Sequence, residues 1–180
     1  AVFNGEGKQN NTAWIGKGAE ALGLRGDVGK VDFEAVLDGR DPRTNVQLVQ
    51  VGGQEQSHRA GTDIPFSAPK SVSLAALVDG DQRLIEAHDK AVTNTIKVLE
   101  KDYAQYRETH GGVTKAKDSG NFVVATFRHS TSRENDPQLH SHSLIANITQ
   151  TQDRVWKATF NDAIFRDQTY ITSIYLNELA

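Results

Sequence analysis

The chain contains no cysteine. Disulfides and thiolate metal sites are therefore excluded, and a cytoplasmic protein fits best. Methionine is absent too, even at position 1. Natural chains start with methionine, so an N-terminal piece is expected to be missing. The ending Tyr175-Leu176-Asn177-Glu178-Leu179-Ala180 reads as mid-helix, so truncation is expected at both ends. No apolar run approaches the length of a bilayer span. Ala1-Val2-Phe3-Asn4-Gly5 lacks the basic start and apolar stretch of a signal peptide, and no membrane insertion is expected. Tyrosine is scarce, and none precedes Tyr103.

What is present fits one globular domain over 1–180. Hydrophobic residues make up 37% and charged residues 24%, too apolar for a disordered chain. The net charge of -3 counts mildly against a polyanion partner. Local balance differs from the total. Gly112 to Lys157 holds six Lys/Arg against four Asp/Glu, whereas Asp79 to Glu108 holds five against seven. The more basic half is also the histidine-rich one, which permits a polyanion partner.

The first forty residues are polar and glycine-rich. Gly16-Lys17-Gly18 is no phosphate loop, because the glycine spacing and the following Ser/Thr are missing. Asp32 to Leu37 reads as a short helix closed by Gly39. Asp41 to Ser57 gives no firm signal. Asp63 to Ser67 reads as a strand, and Pro65 argues for an edge position. Ser67 is expected to cap a helix from about Pro69, with Val72, Leu74, Ala75, Leu77 and Val78 as its apolar side. From Asp81 to Arg107, apolar residues recur at three- and four-residue steps: Leu84, Ile85, His88, Ala91, Val92, Ile96, Leu99, Tyr103 and Tyr106. That spacing predicts a long helix on one face of a sheet, with Asp81 as N-cap. Gly120 to His129 is β-branched and aromatic, as in a strand buried on both faces. A polar connector leads to a second strand, His140 to Thr149. A third is expected at Arg154 to Ala158, and helical spacing returns from Asn161.

Three histidines carry the chemistry. Successive strand side chains point to opposite faces, so His140 and His142 share one face, about 6.5 to 7 Å apart along the backbone. If the two strands pair, His129 at the end of the first comes beside the start of the second. Three nitrogens then converge on one side of a metal and leave its other positions open, as catalysis requires. A lone strand histidine is ordinarily structural; three of six within fourteen residues are harder to explain that way. His88 belongs to the apolar stripe of the helix, and His58 and His110 lie near loops. Nitrogen ligation fits Zn, Mn, Ni or Cu alike, so spacing does not choose the metal.

The run His129-Ser130-Thr131-Ser132-Arg133 leads through Asp136-Pro137-Gln138-Leu139-His140-Ser141-His142 to Asn147-Ile148-Thr149. It resembles the three-histidine motif of conjugative relaxases of the TrwC/TraI type, the MobF family within the HUH endonuclease superfamily. Two further blocks agree in order and separation: Trp14-Ile15-Gly16-Lys17-Gly18-Ala19-Glu20-Ala21-Leu22-Gly23-Leu24 and Asp63-Ile64-Pro65-Phe66-Ser67-Ala68-Pro69-Lys70-Ser71-Val72-Ser73. The resemblance runs over nearly the whole chain.

It implies an α+β, two-layer fold with a central antiparallel β-sheet covered by helices. It implies that His129, His140 and His142 hold a divalent ion, Mg or Mn, which binds the scissile phosphate of single-stranded DNA at a transfer origin. It implies attack by a tyrosine, leaving a 5′-phosphotyrosyl link and a free 3′-hydroxyl. Asp63 matches an acidic residue beside the ligands. Its expected work is to orient a ligand imidazole, with acceptance of the tyrosine proton as a second role. Lys70 and Arg133 are candidate phosphate contacts or ordinary surface charges, in equal measure. The expected partners are transfer-origin DNA, relaxosome accessory proteins and a coupling protein.

One departure matters. The family places its nucleophilic tyrosines upstream of the Trp14 block, where this sequence has none. Tyr103 and Tyr106 fit the long helix, and Tyr170 and Tyr175 fit the C-terminal one, all as packing residues. Two other readings stay open: a three-histidine metallohydrolase using metal-bound water, and a DNA-binding module without catalysis.

Overall fold

The computed structural model describes residues 11–49 and 60–180. Its organising element is a four-stranded antiparallel sheet. The central pair is β5 (Val124–Thr131) and β6 (Pro137–Ala146). The edges are β1 (Thr12–Ile15), beside β5, and β2 (Gly61–Ser67), beside β6. β2 is therefore an edge strand, where Pro65 costs no ladder hydrogen bond on its open side. The reading of 41–57 as featureless covers 50–57 and His58 falls nearby; residues 50–59 lie outside the described residues, as do residues 1–10.

Strand alternation divides the sheet residues between two layers. Ile64, Phe66, Val124 and Ile145 face a helical layer that includes Ala91, Val92, Ile96, Leu99, Ile171 and Tyr175. These come from α4 (Gln82–Tyr103) and α6 (Gln168–Leu179). Trp14, Ala125, Phe127 and Ala146 face the other way, onto a smaller cluster with Ala19, Leu22, Phe33 and Val36. Those residues belong to α1 (Lys17–Ala21), its following turn, and α2 (Lys30–Leu37). Burying each large apolar side chain contributes about 1.5–3 kcal/mol, and Phe66, Phe122, Leu99, Ile145 and Ile171 are almost fully enclosed. The architecture is α+β, with a central antiparallel sheet between helices.

Most expected elements are present, with five corrections. The long helix stops at Tyr103, with Asp81 accepting from the Arg83 backbone N–H as its N-cap. Beyond it, β3 (Gln105–His110) and β4 (Val113–Asp118) form a hairpin, so Tyr106 is a strand residue. Gly111 and Gly112 make that turn with φ of 57° and 79°, values glycine adopts without steric cost. Second, Ser67 is no helix cap. It stays in the ladder opposite His140, and α3 (Lys70–Leu77) has Pro69 at its N-cap position, with no side-chain cap. Third, α3 turns Ser73 and Ala76 inward, while Leu74 and Val78 are exposed. The Ser73 hydroxyl accepts the Leu139 N–H at 3.0 Å, and small residues let the helix lie close to β6. Fourth, the C-terminal helix is two pieces, α5 (Asp162–Arg166) and α6, and Tyr170 is exposed. Fifth, the third expected strand shrinks to β8 (Trp156–Lys157), paired with β7 (Thr149–Gln150).

Candidate metal centre

The β5–β6 register sets His129 directly opposite His140, and Phe127 opposite His142. All three imidazoles therefore leave the sheet on the face that carries Phe127 and Trp14. α2 covers that face only in part: Phe33 meets Phe127 edge-on, with centroids 5.3 Å apart. The histidines are the next residues along the same face and are only half-buried. The ladder also slips between His129 and Thr131. Such irregularities bend a strand and re-aim its side chains, here at the first histidine.

The three rings are mutual neighbours. Centroid separations are 5.2 Å for His129–His140, 5.5 Å for His129–His142 and 5.4 Å for His140–His142. Three imidazole nitrogens sharing one ion at about 2.0–2.1 Å each place their ring centroids on the order of 5 Å apart. The ring spacing thus fits a shared ion. The side chains are not yet a finished cage: among the described residues, no group of three His, Asp or Glu is already arranged to hold a metal. His129 and His140 lie stacked, at 20° between planes.

Two of the rings have their Nδ1 side engaged. His142 Nδ1 lies 2.8 Å from Asp63 Oδ2, across the β2–β6 pairing. His140 Nδ1 lies 3.2 Å from the Gln138 carbonyl oxygen. A carboxylate and a carbonyl can only accept, so each ring donates from Nδ1 and presents a bare Nε2 when neutral. Burial, then the charges of His140 and His142, hold the His129 imidazole below the usual histidine range. That favours the neutral, ligating form. Gln138 acts through its main chain, so its side chain gave no signal.

An open cleft of about 810 Å³ adjoins the rings. Its walls include His140 and His142, Pro65 and Ser67 from β2, Lys70 at the start of α3, and Arg133 in the β5–β6 turn. The structure thus brings Lys70 and Arg133 to one cleft, both exposed, and among the described residues neither is in an ion pair. Ser132 shapes the turn. Its hydroxyl accepts the backbone N–H of Glu134 and of Asp136, each at 3.2 Å, and Asn135 takes φ 62°. This serine went unremarked in the sequence, although Ser followed by Asn and Asp is a turn signal. Glu134 and Asp136 line the same cleft, so its field is mixed.

None of the four tyrosines lines the cleft. Tyr175 is buried under the sheet, Tyr106 sits in the hairpin, and the Tyr103 hydroxyl donates to Asp167 at 2.8 Å. His88 is fully buried on α4, and its neutral ring bridges two hydroxyls. No helix among the described residues is long and apolar enough to cross a membrane.

Known proteins share the fold. A copper-bound structure of the conjugative relaxase TrwC with oriT DNA matches at 44% identity and a TM-score of 0.88, covering 94% of this chain and 57% of that one. A metal-free TrwC structure with oriT DNA matches at 42% identity and a TM-score of 0.90, covering 99% and 61%. The multifunctional conjugation protein TraI of Escherichia coli K12 is 41% identical over 167 residues, which are 93% of this chain and 9% of TraI. The chain therefore spans about a tenth of the curated relatives it matches. The family described as TrwC relaxase matches residues 3–180. The chain belongs to the TrwC relaxase family.

Proposed function

We propose that this chain forms the metal-binding and DNA-facing part of a relaxase domain. The domain nicks single-stranded DNA at a plasmid transfer origin and transfers the strand during conjugation. The observation that carries this reading is the convergence of three imidazoles on one open sheet face, at centroid distances of 5.2–5.5 Å.

In this proposal His129, His140 and His142 hold a divalent ion, Mg or Mn in the cell, with Zn and Ni as lesser candidates. When bound, the ion supplies Lewis-acid polarisation of the scissile phosphate and neutralises charge as it builds. Asp63 holds the His142 ring in its ligating tautomer. Lys70 and Arg133 meet backbone phosphates in the cleft. A phenol oxygen attacks phosphorus and the bond to the 3′-oxygen breaks. The phosphate stays on the tyrosine as a 5′-phosphotyrosyl ester, and the 3′-oxygen leaves with a proton as the hydroxyl. Energy is kept in the ester, so the step can reverse onto another 3′-end. The proposal assigns the phenol to none of Tyr103, Tyr106, Tyr170 or Tyr175; the family pattern places it upstream of Trp14. Accessory proteins of the transfer complex and a coupling protein are the proposed partners, and the plasmid-bearing cytoplasm the proposed location.

The test is incubation of a chain carrying the upstream tyrosines with a transfer-origin oligonucleotide and Mn²⁺. Formation of a covalent protein–DNA adduct with a free 3′-end supports the proposal. Cleavage by the 180-residue chain without an adduct supports metal-activated water instead. Salt-sensitive DNA binding that ignores metal and the His140→Ala/His142→Ala double variant supports a module without catalysis.

A further inference from the structure

Behind the histidine face, a buried polar relay joins three elements at the point where two of the rings are rooted. Ser141 stands between His140 and His142 on β6, so its side chain points into the helical layer while theirs point out. Its Oγ lies 2.8 Å from His88 Nε2, on α4. His88 Nδ1 lies 2.7 Å from the Tyr175 hydroxyl, on α6. All three groups are nearly sealed from water: His88 and Tyr175 are 0% exposed and Ser141 2%. A neutral imidazole has one donor and one acceptor nitrogen, and here both are used. The two hydroxyls adjust to either tautomer, one donating to the ring and the other accepting from it, so both ring nitrogens are satisfied.

Serine has one side-chain torsion. A bond to its Oγ therefore restrains the Cα of residue 141 almost directly. That Cα sits midway between the two Cα atoms that carry His140 and His142. Any twist of β6 about its own axis would swing both rings in one direction and strain the Ser141–His88 bond. Ser143, two residues on along the same face, provides the contrast. It is equally buried, yet its hydroxyl has no partner among the described residues. Polarity on this face is thus not enough to make the link; the pairing with His88 is specific to the position between the histidines.

We infer that His88, held by Tyr175, is a positioning residue that fixes the angle of the His140–Ser141–His142 segment through Ser141 and so sets the affinity and geometry of the metal site. This rests on the three-histidine reading above. The twist of β6 sets where both rings point, so ligand orientation depends on how firmly that strand is held.

The experiment measures Mn²⁺ affinity by calorimetry and the electron paramagnetic resonance spectrum of bound Cu²⁺, with a thermal melt for each variant. Ser141→Ala and Tyr175→Phe remove only a hydroxyl and are expected to fold. Each should weaken Mn²⁺ by about ten-fold, the lower end of effects seen for groups that orient ligands, and shift the Cu²⁺ spectrum. His88→Gln, which keeps polar atoms toward Ser141, should retain affinity better than His88→Leu. Ser143→Ala should leave both metal readouts unchanged. If Ser141→Ala and Tyr175→Phe change the melting temperature alone, with affinity and spectrum as in the parent chain, the relay is only structural and the inference falls. If the parent chain itself binds neither ion, the metal-site reading fails and takes the inference with it.

Discussion

Asp63 Oδ2 lies 2.8 Å from His142 Nδ1, although the two residues are 79 positions apart and belong to different strands. Asp63 is not opposite His142 in the ladder; it pairs with Leu144, and its side chain reaches diagonally to the ring. Both side chains are over 40% exposed. A polar contact so open to solvent contributes about 0–1 kcal/mol to stability. Its worth lies in orienting the ring. Asp63→Asn should therefore weaken Mn²⁺ binding by about 10- to 100-fold while leaving the unfolding midpoint nearly unchanged. Calorimetric titration paired with a thermal melt checks both halves. A large loss of stability with unchanged affinity would reverse the assignment.

The same side-chain pair shows how far the linear pattern reached. The run Phe122 to Phe127 and the alternation His140-Ser141-His142 identify two strands, because their residue types have few other uses. Pro65 located an edge from its missing N–H. Pattern failed where tertiary contact overrode it. Tyr106 continues the helical step from Leu99 and Tyr103, yet Gly111-Gly112 closes a hairpin that takes the chain out of the helix. Leu74 outranks Ser73 in hydrophobicity, yet Ser73 is buried because its hydroxyl answers a strand N–H. The Gln138 carbonyl was invisible as a site feature, since it acts through the backbone, whereas the Ser132 hydroxyl belongs to a turn signal that says nothing of the rings. The histidine trio was legible as a spacing, whereas its partly open, uncovered setting depends on where α2 ends.

His88 supplies a pH dependence of stability. Burial, then the charge of Arg128, then that of His140, push its imidazole down from 6.5 to about 4. Below 6.5 the unfolded chain takes up this proton and the folded chain refuses it. By linkage, stability falls as pH drops from about 6.5 to about 4 and is flat below that for this group. The full effect is roughly 3–4 kcal/mol as an upper bound, at about 1.4 kcal/mol per pKa unit. Urea melts at pH 7.5 and pH 5 should show the loss, and His88→Gln should flatten that part of the profile. A His88→Gln protein with the parent's slope between those pH values would refute the linkage.

Glu100 holds down the glycine-rich corner that is no phosphate loop. Its Oε2 accepts the backbone N–H of Lys17 at 2.7 Å and of Phe122 at 2.9 Å. Helix α1 has no side-chain cap of its own, so this distant carboxylate acts in that place. The approach requires glycine. A Cβ on Gly18 would lie 2.7 Å from the Phe122 carbonyl oxygen, and one on Gly16 only 2.3 Å away at φ +111°. Glu100→Ala strands one buried and one part-buried donor and should cost about 2–3 kcal/mol. For a chain of this size that lowers the melting temperature by about 4–12 °C. Gly18→Ala should also destabilise, through backbone that cannot give way. Calorimetry on the two variants decides it; a melting temperature within a degree of the parent's for either would contradict this account.

Lys70 and Arg133 test whether the cleft beside the rings holds nucleic acid. They come from different elements, the first residue of α3 and the β5–β6 turn, yet line the same wall as His140 and His142. Their exposure and lack of ion-pair partners among the described residues leave both charges free for phosphate. A phosphate contact releases counterions, so its loss has a signature that a lost base contact lacks. For single strands the slope of log affinity against log salt changes by about 0.7 per contact removed. Lys70→Ala and Arg133→Ala should each weaken an oligonucleotide several-fold at moderate salt, nearly irrespective of sequence, and flatten that slope by about this amount. The double variant should lose about twice as much. Glu134 and Asp136 line the same cleft, so Glu134→Gln should act in the opposite sense and tighten binding. Fluorescence anisotropy across a salt series separates these outcomes. Slopes equal to the parent's in both single variants would mean that the DNA lies elsewhere and that these cations are ordinary surface charge.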